Sequence, residues 1–357
     1  MADSKMASTP TLPDSMQAAV AYAIPTESLV VAEVPVPRIE DENDLIVEVS
    51  ACGICGTDHH ILAGSSYRPQ VPFVLGHEPV GVVVATGLKS REWLGRRIVI
   101  TLFTGCGTCA VCRKGDERLC QDLRSVTGVL GVWGGYASYM RVHAQQAVEV
   151  PAALSDLEAA SLVDAGATAV NAVRQALERE PKDALIVGAG PIAFLAAELL
   201  ARNGVSTKTI ARNQARREAL QQLGHDAVSS FDEVTPFVDA VIDCAGVPEV
   251  AAPSLAVLGP RGVYVLAGYA RIPDLDLAVV SRKELQILGV RSGSRSDLQL
   301  SLTEAAEGRM RLPEMTTWPL SDINFALDEL RHGRVRGKAV IVPPDHNVEA
   351  PLQVESS

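Results

Sequence analysis

The stretch DALIVGAGPIAFLAAELLARNG, residues 183–204, determines the predicted fold of the C-terminal half of the chain. It begins with an apolar run typical of a buried strand and continues through Gly188 and Gly190 into a segment with apolar residues at helical spacing. A G-x-G-x-x-G/A pattern alone is weak evidence, but between a strand and a helix it indicates a dinucleotide-binding turn. The sequence therefore predicts a βαβ unit with a phosphate group at the helix N-terminus.

Each small residue of this turn has its own predicted role. Gly188 permits the tight turn, Gly190 lets the backbone approach the pyrophosphate, and Ala193 keeps the helix close to the strand. Pro191 suits the first helical position, where its missing N–H costs no hydrogen bond. We interpret these four residues as cofactor-binding. The alternative is a turn of small residues that serves packing alone.

Working outward, strand and helix patterns alternate through the C-terminal half. TKTIAR precedes NQARREALQQLG, FVDAVIDCAG precedes PEVAAPSLAVLG, and GVYVLAG follows. This alternation is typical of right-handed βαβ units on a parallel sheet with helices on both faces. The N-terminal half instead has short β-type runs between Gly and Pro residues, at Leu45–Val49, Val80–Ala85, Arg97–Thr101 and Tyr136–Val142. The predicted fold class is α/β, with a doubly wound sheet and a β-rich second domain.

The end of the second strand indicates which dinucleotide binds. NAD enzymes usually carry an acidic residue there, roughly 20 residues after the turn, for the ribose 2′-hydroxyl. Here the position holds Ala211, followed by Arg212, Arg216 and Arg217. Without a carboxylate nothing repels a 2′-phosphate, and guanidinium groups can bind it bidentately. We expect NADP(H) to be favoured over NAD(H), with Ala211, Arg212 and Arg217 at the ribose; Arg216 is equally well explained as a solvated helix residue.

Four cysteines lie close together in GCGTCAVCRKGDERLC, residues 105–120. Four thiolates can fill the tetrahedral shell of one zinc ion and leave no position for substrate. We therefore predict a structural zinc site in a lobe of about residues 104–122. An iron–sulfur cluster remains an alternative, and disulfides are disfavoured in a reducing compartment. The ligands, at C-x2-C-x2-C-x7-C spacing, are Cys106, Cys109, Cys112 and Cys120.

A second group of metal-binding residue types lies in ACGICGTDHH, residues 51–60, and LGHEPVG, residues 75–81. A catalytic zinc needs about three protein ligands and one open position. Cys55 and His77 are the obvious ligands, and Asp58 suits a carboxylate that accepts the other ring N–H of His77. Cys52 and Cys55 also have the spacing of a redox C-x-x-C pair, so these residues alone leave both interpretations open.

Composition excludes several classes of partner. The chain has 357 residues, 47% of them hydrophobic, and a formal net charge of −11, which argues against a nucleic-acid partner. No apolar run approaches the roughly 18 residues of a membrane span, and residues 1–15 lack the apolar core of a signal peptide. We expect a cytoplasmic protein without a membrane partner, with disordered ends at residues 1–15 and 343–357.

The order of these motifs resembles that of the zinc-containing medium-chain alcohol dehydrogenases. CGICGTDHH, GHEPVGVVVATG, the four-cysteine lobe and the glycine-rich turn occur there in the same order, and the similarity extends to the closing GKAVIVP. The resemblance implies a GroES-like distorted β-barrel catalytic domain, residues 1–165 and 293–357, and a Rossmann domain, residues 166–292. It also implies two zinc ions per chain, hydride transfer between a nicotinamide cofactor and an alcohol or carbonyl, and a homodimer or homotetramer.

The resemblance assigns the metal ligands. Cys55 is the first ligand and Cys52 is not one, His77 is the second, and Glu78 lies close enough to the metal to exchange with a ligand. Relatives carry a Cys, Glu or Asp at the start of the helix that links the domains, and AASLVDAGATAVNAV offers Asp164 there. The alternative for Asp164 is a simple helix cap, a common role of aspartate.

The resemblance also implies a proton relay that begins at Thr57 and ends at His60 rather than His59, and a substrate pocket lined by Phe103. Three other functions remain: reduction of a C=C or imine bond on the same scaffold, a non-enzymatic zinc-binding or regulatory protein, and a thiol-redox protein that uses Cys52. Thr57 and His60 favour alcohol chemistry. The sequence does not define the substrate, although few charged residues near Phe103 favour uncharged alcohols.

Overall fold

The computed structural model describes residues 12–234, 237–268 and 275–344. Most of the two predicted disordered ends, residues 1–15 and 343–357, lie outside the described residues. In the described part, no helix is long and apolar enough to cross a bilayer.

The N-terminal part of the chain is built mainly from short strands, as predicted from its β-type runs. Its strands are β1 (Ser15–Ala21), β2 (Val30–Pro35), β3 (Asp44–Gly53), β4 (Phe73–Val74), β5 (Glu78–Thr86), β6 (Arg97–Ile100), β7 (Phe103–Thr104), β8 (Ser125–Val126), β9 (Tyr139–His143) and β10 (Ala147–Glu149). The helices around and between them are α1 (Gly56–Leu62), α2 (Asp156–Leu162) and α3 (Ala165–Leu177).

The middle of the chain alternates strands and helices. In chain order these are β11 (Asp183–Val187), α4 (Pro191–Arg202), β12 (Ser206–Ile210), α5 (Gln214–Gln222), β13 (Asp226–Val228), β14 (Val238–Asp243), α6 (Pro248–Val257), β15 (Leu258–Leu266), α7 (Ala278–Lys283) and β16 (Gln286–Gly289). The C-terminal part contains α8 (Arg295–Ala306), β17 (Met315–Pro319), α9 (Ile323–Arg331) and β18 (Lys338–Val342).

Strands β11 to β16 form one parallel sheet in the order β13-β12-β11-β14-β15-β16. Alternate residues of β11 face different cores: Ile186 packs with α3 and α4, whereas Leu185 packs with α6. Both faces are therefore covered, and the predicted doubly wound sheet is confirmed. The short strands β13 and β16 were not predicted from the sequence, because three or four residues carry too little periodicity.

Strands from the N-terminal and C-terminal parts of the chain form a second sheet, of order β10-β6-β5-β3-β18-β17, in which β9 also pairs with β3. Strand β3 is its centre, and β18 pairs with it antiparallel at Cys52 and Gly53. A segment near the C-terminus therefore lies against the start of the C-x-x-C segment. Two smaller sheets complete this part, one of order β2-β1-β4 and one formed by β7 and β8 at the base of the four-cysteine lobe.

This topology brings four distant segments to one place. Strand β3 ends at Gly53, and α1 begins two residues after Ile54, with Cys55 at its N-cap. Strand β5 begins at Glu78, next to His77, and the α2–α3 junction carries Asp164. The candidate site is assembled where these segments meet.

Candidate active site

The four clustered cysteines converge as predicted from their spacing. The sulfur atoms of Cys106, Cys109, Cys112 and Cys120 all lie within 4.8 Å of one another. None of the chain's cysteines is in a disulfide. Hydrogen bonds from the Thr108 hydroxyl and from the Thr108 and Cys109 amides lower the pKa of Cys106 to about 6, which favours the thiolate that metal binding requires. Four sulfurs at these separations suit a tetrahedral zinc ion and leave no open position.

A second cluster contains Cys55, His77, Glu78 and Asp164, whose ligand atoms also lie within 4.8 Å of one another. Asp164 Oδ2 is 3.8 Å from Cys55 Sγ and 3.9 Å from His77 Nε2. Ligands about 2.0–2.3 Å from a tetrahedral ion are roughly 3.3–3.8 Å from each other, so these separations fit one shared ion. The set combines a thiol, an imidazole and two carboxylates.

Asp164 occupies the N-cap position of α3, but its side chain makes no capping hydrogen bond. Its carboxylate instead points into the cluster and accepts a hydrogen bond of 2.8 Å from the Ser292 hydroxyl, with Thr168 Oγ1 at 3.4 Å. The structure therefore disagrees with the interpretation of Asp164 as a simple helix cap. Ser292 was not singled out in the sequence, because it follows Asp164 by 128 residues.

Asp58 contacts the His77 imidazole on its Nδ1 side. Its Oδ1 lies 3.5 Å from His77 Nδ1, and its Oδ2 accepts hydrogen bonds from the Cys55 amide and from the buried hydroxyl of Tyr136, at 2.9 and 2.8 Å. Burial opposes ionisation of Asp58, but the neighbouring His77 outweighs it and lowers the pKa of the carboxyl. This arrangement presents His77 Nε2 to the cluster, as expected for a carboxylate-supported metal ligand.

Gly76 sets the direction of His77. Its φ is +98°, in the left-handed region that favours glycine, and an added Cβ would lie 2.7 Å from a ring carbon of Tyr136. Tyr136 is fully buried and was missed as a site residue, because in the sequence it appears only as part of a β-type run. Its packing against the Gly-His-Glu segment becomes visible only in three dimensions.

Glu78 forms a buried ion pair with Lys338 of β18, and the two side chains are 0% and 3% exposed. A charge pair at this depth is stabilising only when each partner compensates the other, so Lys338 balances the acidic side of the cluster. Lys338 belongs to the GKAVIVP segment, whose lysine was not identified as a site residue. The β3–β18 pairing brings it there.

Cys52 is fully buried, and burial raises the pKa of its thiol well above the usual range. A redox thiol needs an accessible thiolate, so this environment disfavours the thiol-redox alternative. Cys244, directly after β14, is only partly buried and lies on the wall of the cleft described next.

The second cluster opens into a cleft of about 570 Å³. Thr57 and His60 line it, and the Thr57 hydroxyl lies 3.7 Å from Cys55 Sγ. His59 is directed elsewhere, toward α9, where its environment includes Leu327 and Arg331. The remaining lining residues include Ser65, Ser66, Tyr67, Leu102, Phe103, Val126, Val129, Thr168, Ile192, Ala245, Ala267, Gly268, Val290, Arg291 and Ser292.

Arg291 changes the expected character of this cleft. The sequence suggested few charged residues near Phe103, but the guanidinium of Arg291 lies 4.9 Å from the centre of the Phe103 ring. The expectation of an uncharged environment was therefore wrong. The two residues are far apart in the sequence, and only the tertiary structure brings them together.

The glycine-rich turn has the conformation that its motif implies. Gly188 has φ +121°, Gly190 is the N-cap of α4 with open space above its Cα, and Pro191 is the first helical residue. Ala193 is buried between helix and sheet. This exposes helix N–H groups to an anion at the α4 N-terminus.

The arginines after β12 point in different directions. Arg217 donates to the carbonyls of Ala211 and Arg212, at 2.8 and 3.4 Å, and so braces the strand end. Arg216 is not a solvated helix residue: it donates to the Val335 carbonyl and lines a small cavity beside Gly190 and Pro191. Arg336 lines the same cavity.

Comparison with known proteins agrees with this architecture. Residues 41–152 match the alcohol dehydrogenase GroES-like domain, and residues 155–283 match the glucose dehydrogenase C-terminus. An alcohol dehydrogenase of Geobacillus stearothermophilus is 30% identical over 330 residues, which cover 88% of this chain and 96% of that protein.

Two further relatives are informative. A D-arabinose 1-dehydrogenase (NADP(+)) of Saccharolobus solfataricus is 28% identical over 339 residues, 89% of this chain and 95% of that protein. The cobalt- and zinc-bound thermostable alcohol dehydrogenase from Pyrobaculum aerophilum is 29% identical, with a TM-score of 0.84 over 92% of this chain and all of that one. With its parallel sheet, its GroES-like domain and its cysteine clusters, the chain belongs to the zinc-containing medium-chain alcohol dehydrogenase family and is an NAD(P)-dependent oxidoreductase of alcohols and carbonyls.

Proposed function

We propose that the protein is an NADP(H)-linked alcohol dehydrogenase whose catalytic zinc is held by Cys55, His77 and Asp164. One observation carries this proposal: the thiol, the imidazole and the carboxylate converge on the wall of the cleft that Thr57 and His60 also line. A binding or regulatory protein would have no need for a hydroxyl and an imidazole beside an open metal site.

The residues of both clusters fit zinc in number and chemical type. Cys106, Cys109, Cys112 and Cys120 would hold a structural ion with a complete shell. At the second site, zinc would polarise an alcohol or carbonyl oxygen in its open position. Glu78, neutralised by Lys338, lies close enough to enter that ligand set.

Thr57 and His60 provide a route for the proton. They are three residues apart on α1 and therefore share one side of the helix. Thr57 lies at the inner end, where its hydroxyl can accept the proton of a substrate alcohol. His60 is exposed at the outer end, where it exchanges that proton with solvent; its Nδ1 lies 3.5 Å from the Ser65 hydroxyl.

The cofactor would lie along the α4 N-terminus. Gly188, Gly190, Pro191 and Ala193 fit the pyrophosphate, and Ala211 leaves the ribose 2′ position without a repelling carboxylate. Of the three arginines after β12, Arg216 is the best placed for a 2′-phosphate, because it lines the cavity beside Gly190 and its Nε has no acceptor among the described residues.

Arg212 is exposed and lies four residues before Arg216 in the chain, and Arg217 holds the strand end in place. The relative from Saccharolobus solfataricus is NADP(+)-linked by its description. Together these observations favour NADP(H), with Arg212, Arg216 and Arg217 as the basic residues around the ribose.

The decisive experiment compares kcat/KM for NADPH and NADH with one carbonyl substrate, using protein whose zinc content has been measured. We expect NADPH to be preferred at least tenfold. A preference for NADH would refute the cofactor assignment and leave the alcohol dehydrogenase activity untouched.

We also propose the domain division 1–165 with 293–357, and 166–292, and a homodimer or homotetramer in a reducing, cytoplasmic compartment. The six-stranded parallel sheet lies within the second range. Sedimentation analysis of the zinc-loaded protein tests the oligomeric state.

A further inference from the structure

Arg291 lines the proposed catalytic cleft and carries a positive charge. It belongs neither to the metal clusters nor to the proton route. It follows β16 and directly precedes Ser292, whose hydroxyl contacts Asp164. Its guanidinium packs over the Phe103 ring at 4.9 Å, a cation–π distance that holds it against one wall. The positive charge of Arg291 is therefore held on the wall of the cleft that a substrate would occupy.

Two hydrogen bonds position this guanidinium. Nη1 donates to the Arg118 carbonyl at 2.6 Å, and Nη2 donates to the Tyr67 hydroxyl at 3.3 Å. Arg118 in turn donates to the Arg291 carbonyl at 3.1 Å, so the four-cysteine lobe and the cleft wall are tied together reciprocally. The side chain is thus arranged before any ligand arrives, which lowers the entropic cost of binding.

The positive charge of Arg291 has no counter-ion in the described part of the chain. No carboxylate there lies within 4.0 Å of the guanidinium, whereas the neighbouring buried Arg118 pairs with Asp116. An arginine has five N–H donors, and only two of those of Arg291 donate to the described partners. Three donors are left for an anionic oxygen group.

The neighbouring wall is suited to an oxygen-rich ligand. Ser65, Ser66 and Tyr67 line the cleft together with Arg291, and Phe103 and Val129 add apolar surface to the same cleft. A planar guanidinium binds carboxylate or phosphate oxygens in pairs, whereas it adds little for a plain hydrocarbon chain.

We propose that Arg291 is a substrate-binding residue that selects alcohols and carbonyls carrying an anionic oxygen group, a carboxylate or a phosphate monoester, away from the reacting carbon. This inference rests on the proposed function, because it takes the cleft beside Cys55, His77 and Asp164 as the substrate site. It replaces the expectation of an uncharged substrate.

The test uses the full-length, zinc-loaded enzyme and matched substrates of one chain length: an ω-oxo carboxylic acid, its methyl ester, and the phosphate monoester of the corresponding ω-hydroxy aldehyde. The proteins compared are the wild type, Arg291→Leu, Arg291→Lys, and the control Arg179→Leu. Arg179 is an exposed residue that donates to Gln286 and has no role in the cleft. The control therefore removes one positive charge from elsewhere.

We expect the wild type to prefer at least one anionic substrate over the ester in kcat/KM. Arg291→Leu should lower that preference roughly 10- to 100-fold, the size expected for lost charge-assisted hydrogen bonds. Arg291→Lys should retain part of it, and Arg179→Leu should retain all of it. The anionic substrate with the higher kcat/KM identifies either carboxylate or phosphate as the recognised group.

Three results would overturn the proposal: a wild-type preference for the ester, an equal loss for charged and uncharged substrates in Arg291→Leu, or a loss confined to the KM for NADPH. The last result would assign Arg291 to the cofactor. Circular dichroism and thermal melting of each variant separate these outcomes from misfolding.

A binding measurement separates this proposal from the proposed function. Calorimetric titration with the straight-chain ω-hydroxy carboxylate needs no turnover, and we expect Arg291→Leu to weaken that binding roughly tenfold or more. If no alcohol is oxidised but this difference remains, the anion site stands and the proposed function fails. If the ester is reduced efficiently and the binding difference is absent, the proposed function stands and the role of Arg291 is refuted.

Discussion

The Sγ atom of Cys55 lies 3.8 Å from Oδ2 of Asp164, across a sequence separation of 109 residues. Cys55 caps α1 and Asp164 begins α3, so the two helices meet with their N-terminal ends at one point. A shared cation is the simplest physical reason for their convergence, and this leads to the first prediction.

Asp164→Ala should lose one of the two zinc ions that we propose. Removal of the carboxylate leaves Cys55 and His77 as ligands, because Glu78 is held in its ion pair with Lys338, and two ligands are too few for tight binding. Metal analysis after dialysis against a mild chelator should give about one zinc per chain, with alcohol oxidation reduced by at least ~10²-fold. Asp164→Cys, which supplies a thiolate in place of the carboxylate, should recover the second ion.

Cys52→Ser is the matched control for this site, because Cys52 is near Cys55 in the chain but outside the cluster. It should retain both ions. Full zinc content and full activity in Asp164→Ala would show that the carboxylate is not a ligand.

Cys109→Ser should lose the other zinc ion and destabilise the protein. A structural zinc contributes directly to folding free energy, because its site does not exist in the unfolded chain. We expect the apparent melting temperature to fall by at least about 5 °C. Cys244→Ala, which changes a cysteine outside both clusters, should retain both metals; equal effects of the two substitutions would contradict a structural zinc at the lobe.

Thr57→Ala should reduce kcat by about 10²-fold or more, the contribution typical of a positioned proton-transfer group. Thr57→Ser keeps the hydroxyl and should remain active. His60→Gln should have a smaller effect that depends on pH, because solvent can replace an exposed proton acceptor. His59→Gln is the matched control, since His59 lies against α9; steady-state kinetics between pH 6 and 9 would disprove the relay if His59→Gln and His60→Gln behaved alike.

Arg216→Ala should raise the KM for NADPH roughly 10- to 100-fold and leave the KM for NADH nearly unchanged, because only NADPH carries the 2′-phosphate. Adding Ala211→Asp should reverse the preference, since a carboxylate binds the ribose 2′-hydroxyl and repels phosphate. Arg179→Leu again controls for net charge. Parallel changes for both cofactors in Arg216→Ala would place this arginine away from the 2′ position.

Glu198→Gln should make stability less dependent on pH. Glu198 of α4 pairs with His225 at 3.1 Å and with Arg311 at 2.6 Å. Burial opposes its ionisation, but hydrogen bonds from His225 and Arg311 outweigh it and lower its pKa to about 2. A depressed pKa means that the charged form stabilises the folded state above the ordinary glutamate value of 4.5, and that this stabilisation is lost as pH falls toward 2.

At pH 7 we therefore expect Glu198→Gln to be less stable than the wild type by on the order of 1–2 kcal/mol, discounted because Arg311 is half exposed. Thermal melting between pH 7 and pH 3.5 should show this difference becoming smaller below pH 4.5. A difference that is constant over the whole range would mean that the pair contributes no charge-dependent stability.

Local sequence patterns were sufficient to predict a large part of this protein's structure. The strand–turn–helix at Gly188 and Gly190 and the lobe from Cys106 to Cys120 each lie within about twenty consecutive residues. Backbone geometry alone brings such neighbours together, so spacing and residue type predict both features. Cys55 and Thr57 belong to the same category, because a helix start determines their relative positions.

Tertiary structure alone decided what surrounds these motifs. Lys338 reaches Glu78 through the pairing of β18 with β3, Tyr136 reaches Asp58 across 78 residues, and Arg291 reaches Phe103 through the close packing of the cleft wall against the four-cysteine lobe. None of these partners is specified by local propensity, because propensity describes how a segment folds and not which distant segment it contacts. The sequence by itself therefore determined the residue types of the two candidate zinc sites and of the dinucleotide turn, whereas long-range packing decided how the charges are balanced and which charged side chain lines the cleft.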